Sequence, residues 1–171
     1  LKKYNIERPF VLSVGRLEEK KNTARIVEAF SLARQSLISY RLSLIIVGPP
    51  GHGYEKVKKE IEASKFKSDI LELGYVEAED LPYIMSATEV FVYPSLYEGF
   101  GLPILEALAC GVPVVAGKGS CLEEVGGDAC IYVDPTDVDE IARAIQSARQ
   151  NFNSDIAFGQ VSKFSWEKCA I

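Results

Sequence analysis

Residues 89–116 read Glu89-Val-Phe-Val-Tyr93-Pro-Ser-Leu-Tyr-Glu98-Gly-Phe-Gly-Leu-Pro-Ile-Leu-Glu106-Ala-Leu-Ala-Cys-Gly111-Val-Pro-Val-Val-Ala116. Glu89–Tyr93 is short, β-branched and aromatic, which predicts a strand closed by Pro94. Leu102–Cys110 predicts a helix, because Pro103 suits a first turn whose N–H groups lack partners. Gly111 suits the left-handed residue that ends a helix, and Pro113 prevents its resumption. Val112–Ala116 predicts the next strand. Strand, short helix and strand in so few residues form a parallel βαβ unit.

The same alternation runs outward in both directions. Phe10–Val14 predicts a first strand. Ile26, Val27, Phe30, Ala33 and Leu37 recur at helical spacing behind it. Leu42–Val47, Ile70–Leu73 and Cys130–Val133 predict further strands. Tyr54–Phe66 and Glu79–Ala87 predict helices. Asp137, with Glu140 three residues on, predicts an acidic capping-box start for a last long helix. The expected fold is α/β, a Rossmann-like parallel sheet of about six strands with helices on both faces. Ligands of such sheets bind outside the carboxyl ends of the strands, so the loops after Val14, Val47, Leu73 and Tyr93 are the ones to inspect.

The 171 residues suit one domain, 47% hydrophobic and 25% charged. A net charge of −5 argues against a nucleic-acid partner, since phosphate backbones select basic surfaces. The polar start, Leu1 to Arg8, reads as a linker remnant of a longer polypeptide, with one domain over residues 9–171. Cys110, Cys121, Cys130 and Cys169 include no C-x-x-C pair and His52 is the sole histidine, so no metal site is expected. Small buried thiols in a reducing cytoplasm are the plainer reading.

Gly99 and Gly101 lack side chains, so a ligand can approach the backbone ahead of the helix at Leu102. Free N–H groups and the helix dipole favour an anion there, a phosphate or diphosphate. Glu98 precedes that site and Glu106 follows one turn later; carboxylates at its edge suit sugar hydroxyls. Taken singly, Gly-x-Gly is often just a tight turn and a first-turn glutamate just a dipole partner. The loop after the first strand, Gly15-Arg16-Leu-Glu-Glu-Lys-Lys21-Asn22, adds cations. Lys21 at a helix start opposes the dipole, a cost that a bound diphosphate would offset. Arg16 and Lys21 could also stabilise charge on a departing diphosphate. Lys20 reads as solvated.

Together these segments resemble the family 4 retaining glycosyltransferases (glycosyl transferases group 1). The family's E-G-F-G-x-P-x-x-E signature stands intact as Glu98 to Glu106. Val14-Gly-Arg-Leu17 with Lys21-Asn22 is similar to its diphosphate clamp, and Leu73-Gly-Tyr-Val76 with Leu81 to its nucleobase loop. Glu123 to Asp128, Asp134-Pro135 and Ser165-Trp-Glu167 resemble later landmarks. The resemblance implies the carboxyl-terminal, donor-binding half of a GT-B enzyme of polysaccharide biosynthesis. The partners it implies are a nucleotide-diphosphate sugar, an amino-terminal acceptor domain in the same polypeptide, and a glycan or lipid-linked acceptor.

It implies that Arg16 and Lys21 hold the diphosphate and that Glu98 binds sugar hydroxyls. Gly15, Gly99, Phe100, Gly101 and Leu102 would line the donor with backbone, Glu106 would bind the ribose, and Val76 and Leu81 would line the base. No metal or other cofactor is needed, because the cations replace it. The implied location is cytoplasmic, at the inner membrane face through peripheral contact of the absent acceptor domain, and the isolated domain would be inactive. The alternatives are a non-catalytic nucleotide-binding module, a GT-B sugar-nucleotide epimerase or a phosphorylase. A dinucleotide oxidoreductase is disfavoured because no G-x-G-x-x-G follows the first strand. Gly48-Pro-Pro-Gly-His-Gly53 reads as a βα turn near the donor, His52 as an exposed loop residue, and Lys56–Lys67 as a solvated face of mixed charge.

Overall fold

The computed structural model describes residues 1–6, 9–36 and 41–169. Six parallel strands form one sheet: β1 Phe10–Val14, β2 Ser43–Val47, β3 Ile70–Gly74, β4 Val90–Tyr93, β5 Val114–Gly117 and β6 Cys130–Val133. Their spatial order is β3-β2-β1-β4-β5-β6. Among the described residues eight α-helices connect or flank them: α1 Thr23–Ser36, α2 Tyr54–Ala63, α3 Leu81–Ser86, α4 Leu102–Ala109, α5 Leu122–Gly126, α6 Val138–Ser147, α7 Ser154–Val161 and α8 Trp166–Cys169. Leu37, counted in the first helical stripe, lies outside the described residues.

Successive strand side chains point to opposite faces, so the buried strands feed two cores. Val11, Leu44, Ile46, Val90, Val92 and Val115 pack with Ile26, Val27 and Phe30 of α1 and Ile141 and Ile145 of α6. Phe10, Leu12, Ile45, Phe91 and Val114 pack with Ile84 of α3, Ile104 and Leu108 of α4, and Leu122 of α5. Among the described residues no helix is long and apolar enough to cross a membrane.

Several boundaries move for local reasons. Strand β5 starts at Val114 because the Val112 N–H turns back to the Ala107 carbonyl at 3.1 Å and finishes α4. Gly111 has φ +70°, the left-handed residue expected there. Helix α2 stops at Ala63, where Ser64 turns extended and its hydroxyl caps the Phe66 N–H at 3.1 Å. The capping box is rewired: Asp137 accepts from the Glu140 N–H at 2.9 Å, but Glu140 reaches the Asp134 N–H at 3.0 Å.

Leu1–Ile6 is anchored to the domain through Tyr4 and Ile6. Ile6 is buried beside Phe10 and Ile45, and Lys3 and the Tyr4 hydroxyl both donate to Asp80. The chain's start therefore fastens to the turn that opens α3. Glu7 and Arg8 lie outside the described residues.

Cys110, Cys121 and Cys130 are free thiols, half-buried as residues; the side chain of Cys169 lies outside the described ones. Burial pushes the Cys130 thiol up to about 12. Only the thiolate reacts, so iodoacetamide at pH 8 should alkylate Cys130 of the folded chain on the order of 10³-fold more slowly than a free cysteine. Peptide mass spectrometry reads this directly; labelling at the rate of unfolded chain would contradict the burial.

Candidate functional site

In this strand order the chain reverses direction across the sheet between β1 and β4, so their following loops part and leave a crevice at the carboxyl edge. Those loops are residues 15–22 and 94–101, the two segments that carry the sequence motifs.

The first loop is shaped by its neighbour after β2. The Leu17 N–H donates to the Pro49 carbonyl, the Gly51 N–H to the Leu17 carbonyl and the Glu19 N–H to the His52 carbonyl, at 3.0, 3.1 and 2.9 Å. Gly48, at φ +138°, passes so close that a Cβ there would lie 2.0 Å from the Gly15 carbonyl oxygen. The 48–53 turn is thus a mould for the loop after β1, and His52 serves it through its backbone.

Lys21 does not open α1 as expected. It ends a 3₁₀ turn, Glu19–Lys21, and left-handed Asn22 (φ 63°) separates it from the helix. Its stem runs past Gly15, where an added Cβ would meet Lys21 Cε at 3.6 Å. Its ammonium donates to Glu98 Oε1 and to the Tyr93 hydroxyl, each at 2.6 Å. The two side chains of the ion pair are only 18% and 10% exposed. Glu98 therefore supplies the countercharge that offsets the dipole cost read for Lys21.

Asn22 ties three loops together. Its amide donates to the Pro94 carbonyl at 3.0 Å and the Pro135 carbonyl at 2.5 Å, and its oxygen accepts from Arg25 at 2.8 Å. The Leu96 N–H adds a bond to the Lys20 carbonyl at 2.8 Å. Asn22→Ala would orphan the buried Pro94 carbonyl and the half-buried Pro135 carbonyl and put alanine in a left-handed conformation. It should cost about 2–4 kcal/mol, read as a lower melting temperature. Asn22→Gly should recover the backbone part; equal losses in both variants would contradict that division.

On the opposite loop, the Cys121 thiol donates to the Glu98 and Phe100 carbonyls at 3.2 and 3.4 Å. Gly101 has φ +109°, and a Cβ there would strike Leu122 at 2.6 Å. Among the described residues, no hydrogen bond uses the N–H groups of Gly99, Phe100, Gly101 or Leu102. These donors stand at the start of α4, beside the Lys21–Glu98 pair.

The remaining sequence candidates fall apart from this pair. Arg16 is exposed, with Nε 3.4 Å from Glu18. Glu106 is exposed on the outer face of α4, where it lines a groove of about 550 Å³ with Phe100, Leu102 and Phe164. Val76 is buried in the core and Leu81 packs half-buried against it. The Val76 side chain faces inward, and the exposed aromatic side chains of this segment are Tyr75 and Tyr83. Tyr93 and Cys121 escaped the sequence reading, and Asn22, quoted with the clamp, was given no role of its own. Tyr93 hid in an apolar strand, and its contacts lie 72 residues away in sequence.

The family profile described as Glycosyl transferases group 1 matches residues 2–161. O-antigen chain mannosyltransferase B of Escherichia coli is 41% identical over 99% of this chain and 46% of its own length. The GDP-mannose-dependent alpha-(1-6)-phosphatidylinositol monomannoside mannosyltransferase of Mycolicibacterium smegmatis is 29% identical over 81% of this chain and 38% of its own. Sucrose-phosphate synthase from Thermosynechococcus elongatus superposes with a TM-score of 0.83 at 28% identity, covering 99% of this chain and 45% of that one. The chain thus spans less than half the length of each of these relatives. A crevice that joins the two motif loops at the switch point, and a profile match over nearly the whole sequence, place the chain in the group 1 glycosyl transferase family.

Proposed function

We propose that this chain is the donor-binding domain of a retaining glycosyltransferase. In this reading it transfers a hexose from a nucleoside diphosphate sugar to a glycan or lipid-linked acceptor held by a second domain. The observation that carries the reading is the Lys21–Glu98 ion pair at the switch point, next to the free N–H groups that precede α4. The names of two relatives favour mannose, and one of them favours a GDP-linked donor.

Lys21 and Glu98 neutralise each other, and donor binding exchanges their partners. The diphosphate takes Lys21 and the N–H groups of Phe100, Gly101 and Leu102, while sugar hydroxyls take the Glu98 carboxylate. Exposed Arg16 is free to swing onto the diphosphate from its weak contact with Glu18. As the sugar–oxygen bond breaks, charge gathers on the diphosphate, where these fixed donors stabilise it most. The acceptor attacks from the same face, and the leaving oxygen takes its proton. The site of action is cytoplasmic, at a membrane face reached through the acceptor domain.

Calorimetry of the folded chain with GDP, UDP and ADP tests this reading. Binding of at least one, GDP first, is expected; none bound would sink it. Without sugar, Glu106→Ala should weaken the nucleotide. Glu98→Gln should leave it unchanged or tighter, since it removes a competitor for Lys21. Equal weakening by both would overturn the division between ribose and sugar carboxylates.

A further inference from the structure

Tyr93 ends β4 at 3% exposure, its ring stacked on Phe91 with centroids 5.7 Å apart. A phenylalanine would fill that space equally well. A phenol in a core costs free energy unless its oxygen has partners, so the hydroxyl is what needs explaining. Its partner is the cation of the crevice. Lys21 Nζ donates to it at 2.6 Å, and the same ammonium donates to Glu98. The ammonium stands 4.9 Å from the ring centroid, much closer to the oxygen than to the π face. Burial, then the Glu98 charge, push the phenol well above its ordinary range, so it stays neutral and keeps its proton to donate.

We propose that Tyr93 is a positioning residue of the donor site, its hydroxyl holding Lys21 aimed at the diphosphate after the sugar has drawn Glu98 away. The inference rests on the donor-domain reading above. An ammonium has three donors. Tyr93 and Glu98 take two of them. When Glu98 turns to the sugar, Tyr93 alone remains on the rigid sheet. The lysine stem would otherwise regain its rotamer freedom, and binding would have to order it again.

A double-mutant cycle tests this by calorimetry with GDP-mannose, whose sugar engages Glu98, on the folded 171-residue chain. Tyr93→Phe should weaken GDP-mannose roughly tenfold, the worth of a hydrogen bond to a charged group. In a Lys21→Ala background, measured at millimolar GDP-mannose, the same change should have no further effect. Wild-type binding with no loss in Tyr93→Phe would overturn the proposal. So would an undiminished loss in the Lys21→Ala background, the mark of a merely structural role. A wild-type chain that binds no nucleoside diphosphate would instead remove the donor-domain reading beneath it. If Tyr93→Phe lowers the melting temperature severely, a ring-fluorinated tyrosine at position 93 keeps the shape and weakens the acceptor oxygen. It should show a smaller loss, again absent without Lys21; no loss there would overturn the proposal.

Discussion

In the two-domain enzyme proposed above, Lys21→Ala should lower kcat on the order of 10²–10³-fold, the range for removing one pre-aimed donor to developing charge. Two contributions add. The leaving diphosphate loses its best-ordered cation, held by the Gly15 surface, Tyr93 and Glu98. Glu98, with a side chain only 10% exposed, also loses its countercharge and becomes a poorer partner for the sugar. Lys21→Arg should restore part of the rate, since the charge remains while the longer guanidinium misses the Tyr93 oxygen. Steady-state kinetics with the donor saturating separates this from binding; an unchanged kcat would refute the role at the leaving group.

Gly48→Ala should be the most damaging single methyl addition at the site. The new Cβ would fall 2.0 Å from the Gly15 carbonyl oxygen, and φ +138° is a backbone that side chains rarely adopt. Both loops are pinned, so neither can retreat without breaking hydrogen bonds to Val47 and Gly74. A loss of about 3–5 kcal/mol is expected, roughly a 10 °C fall in melting temperature for a chain of this size. Residual folded protein should bind nucleotide weakly, because the clamp loop has lost its mould. Gly99→Ala is the control: no atom lies within 4 Å of its added Cβ, so stability should hold. A Gly48→Ala chain as stable as the parent would show that the loops are looser than their packing implies.

Much of this architecture was legible because buried parallel strands write themselves as short apolar runs. Phe10–Val14 and Cys130–Val133 matched residue for residue. Helix α7 was not read, because its apolar pattern is inverted. It shows Ile156 and Phe158 to solvent and buries Ala157 and Gln160, the latter bonded to the Val125 carbonyl at 2.9 Å. Only Asn153, which caps the Asp155 N–H at 2.9 Å, marked its start. The motif glycines and charges of the site were visible, but their partnerships were not. Lys21 meets Glu98 across 77 residues of sequence, and no spacing rule reaches that far. The burial of the Val76 side chain in the core was not legible from its loop position.

The central claim is that a nucleoside diphosphate sits in the crevice between the loops after β1 and β4. Amide chemical-shift mapping of the ¹⁵N-labelled chain, titrated with GDP, tests it most directly. The largest shifts are expected at Gly15, Arg16, Lys21 and Asn22 and at Gly99, Phe100, Gly101 and Leu102, and they should collapse in Lys21→Ala. Shifts centred elsewhere, such as the groove between α1 and α2 at Ser31 and Ser64, or none at all from a folded chain, would contradict the account.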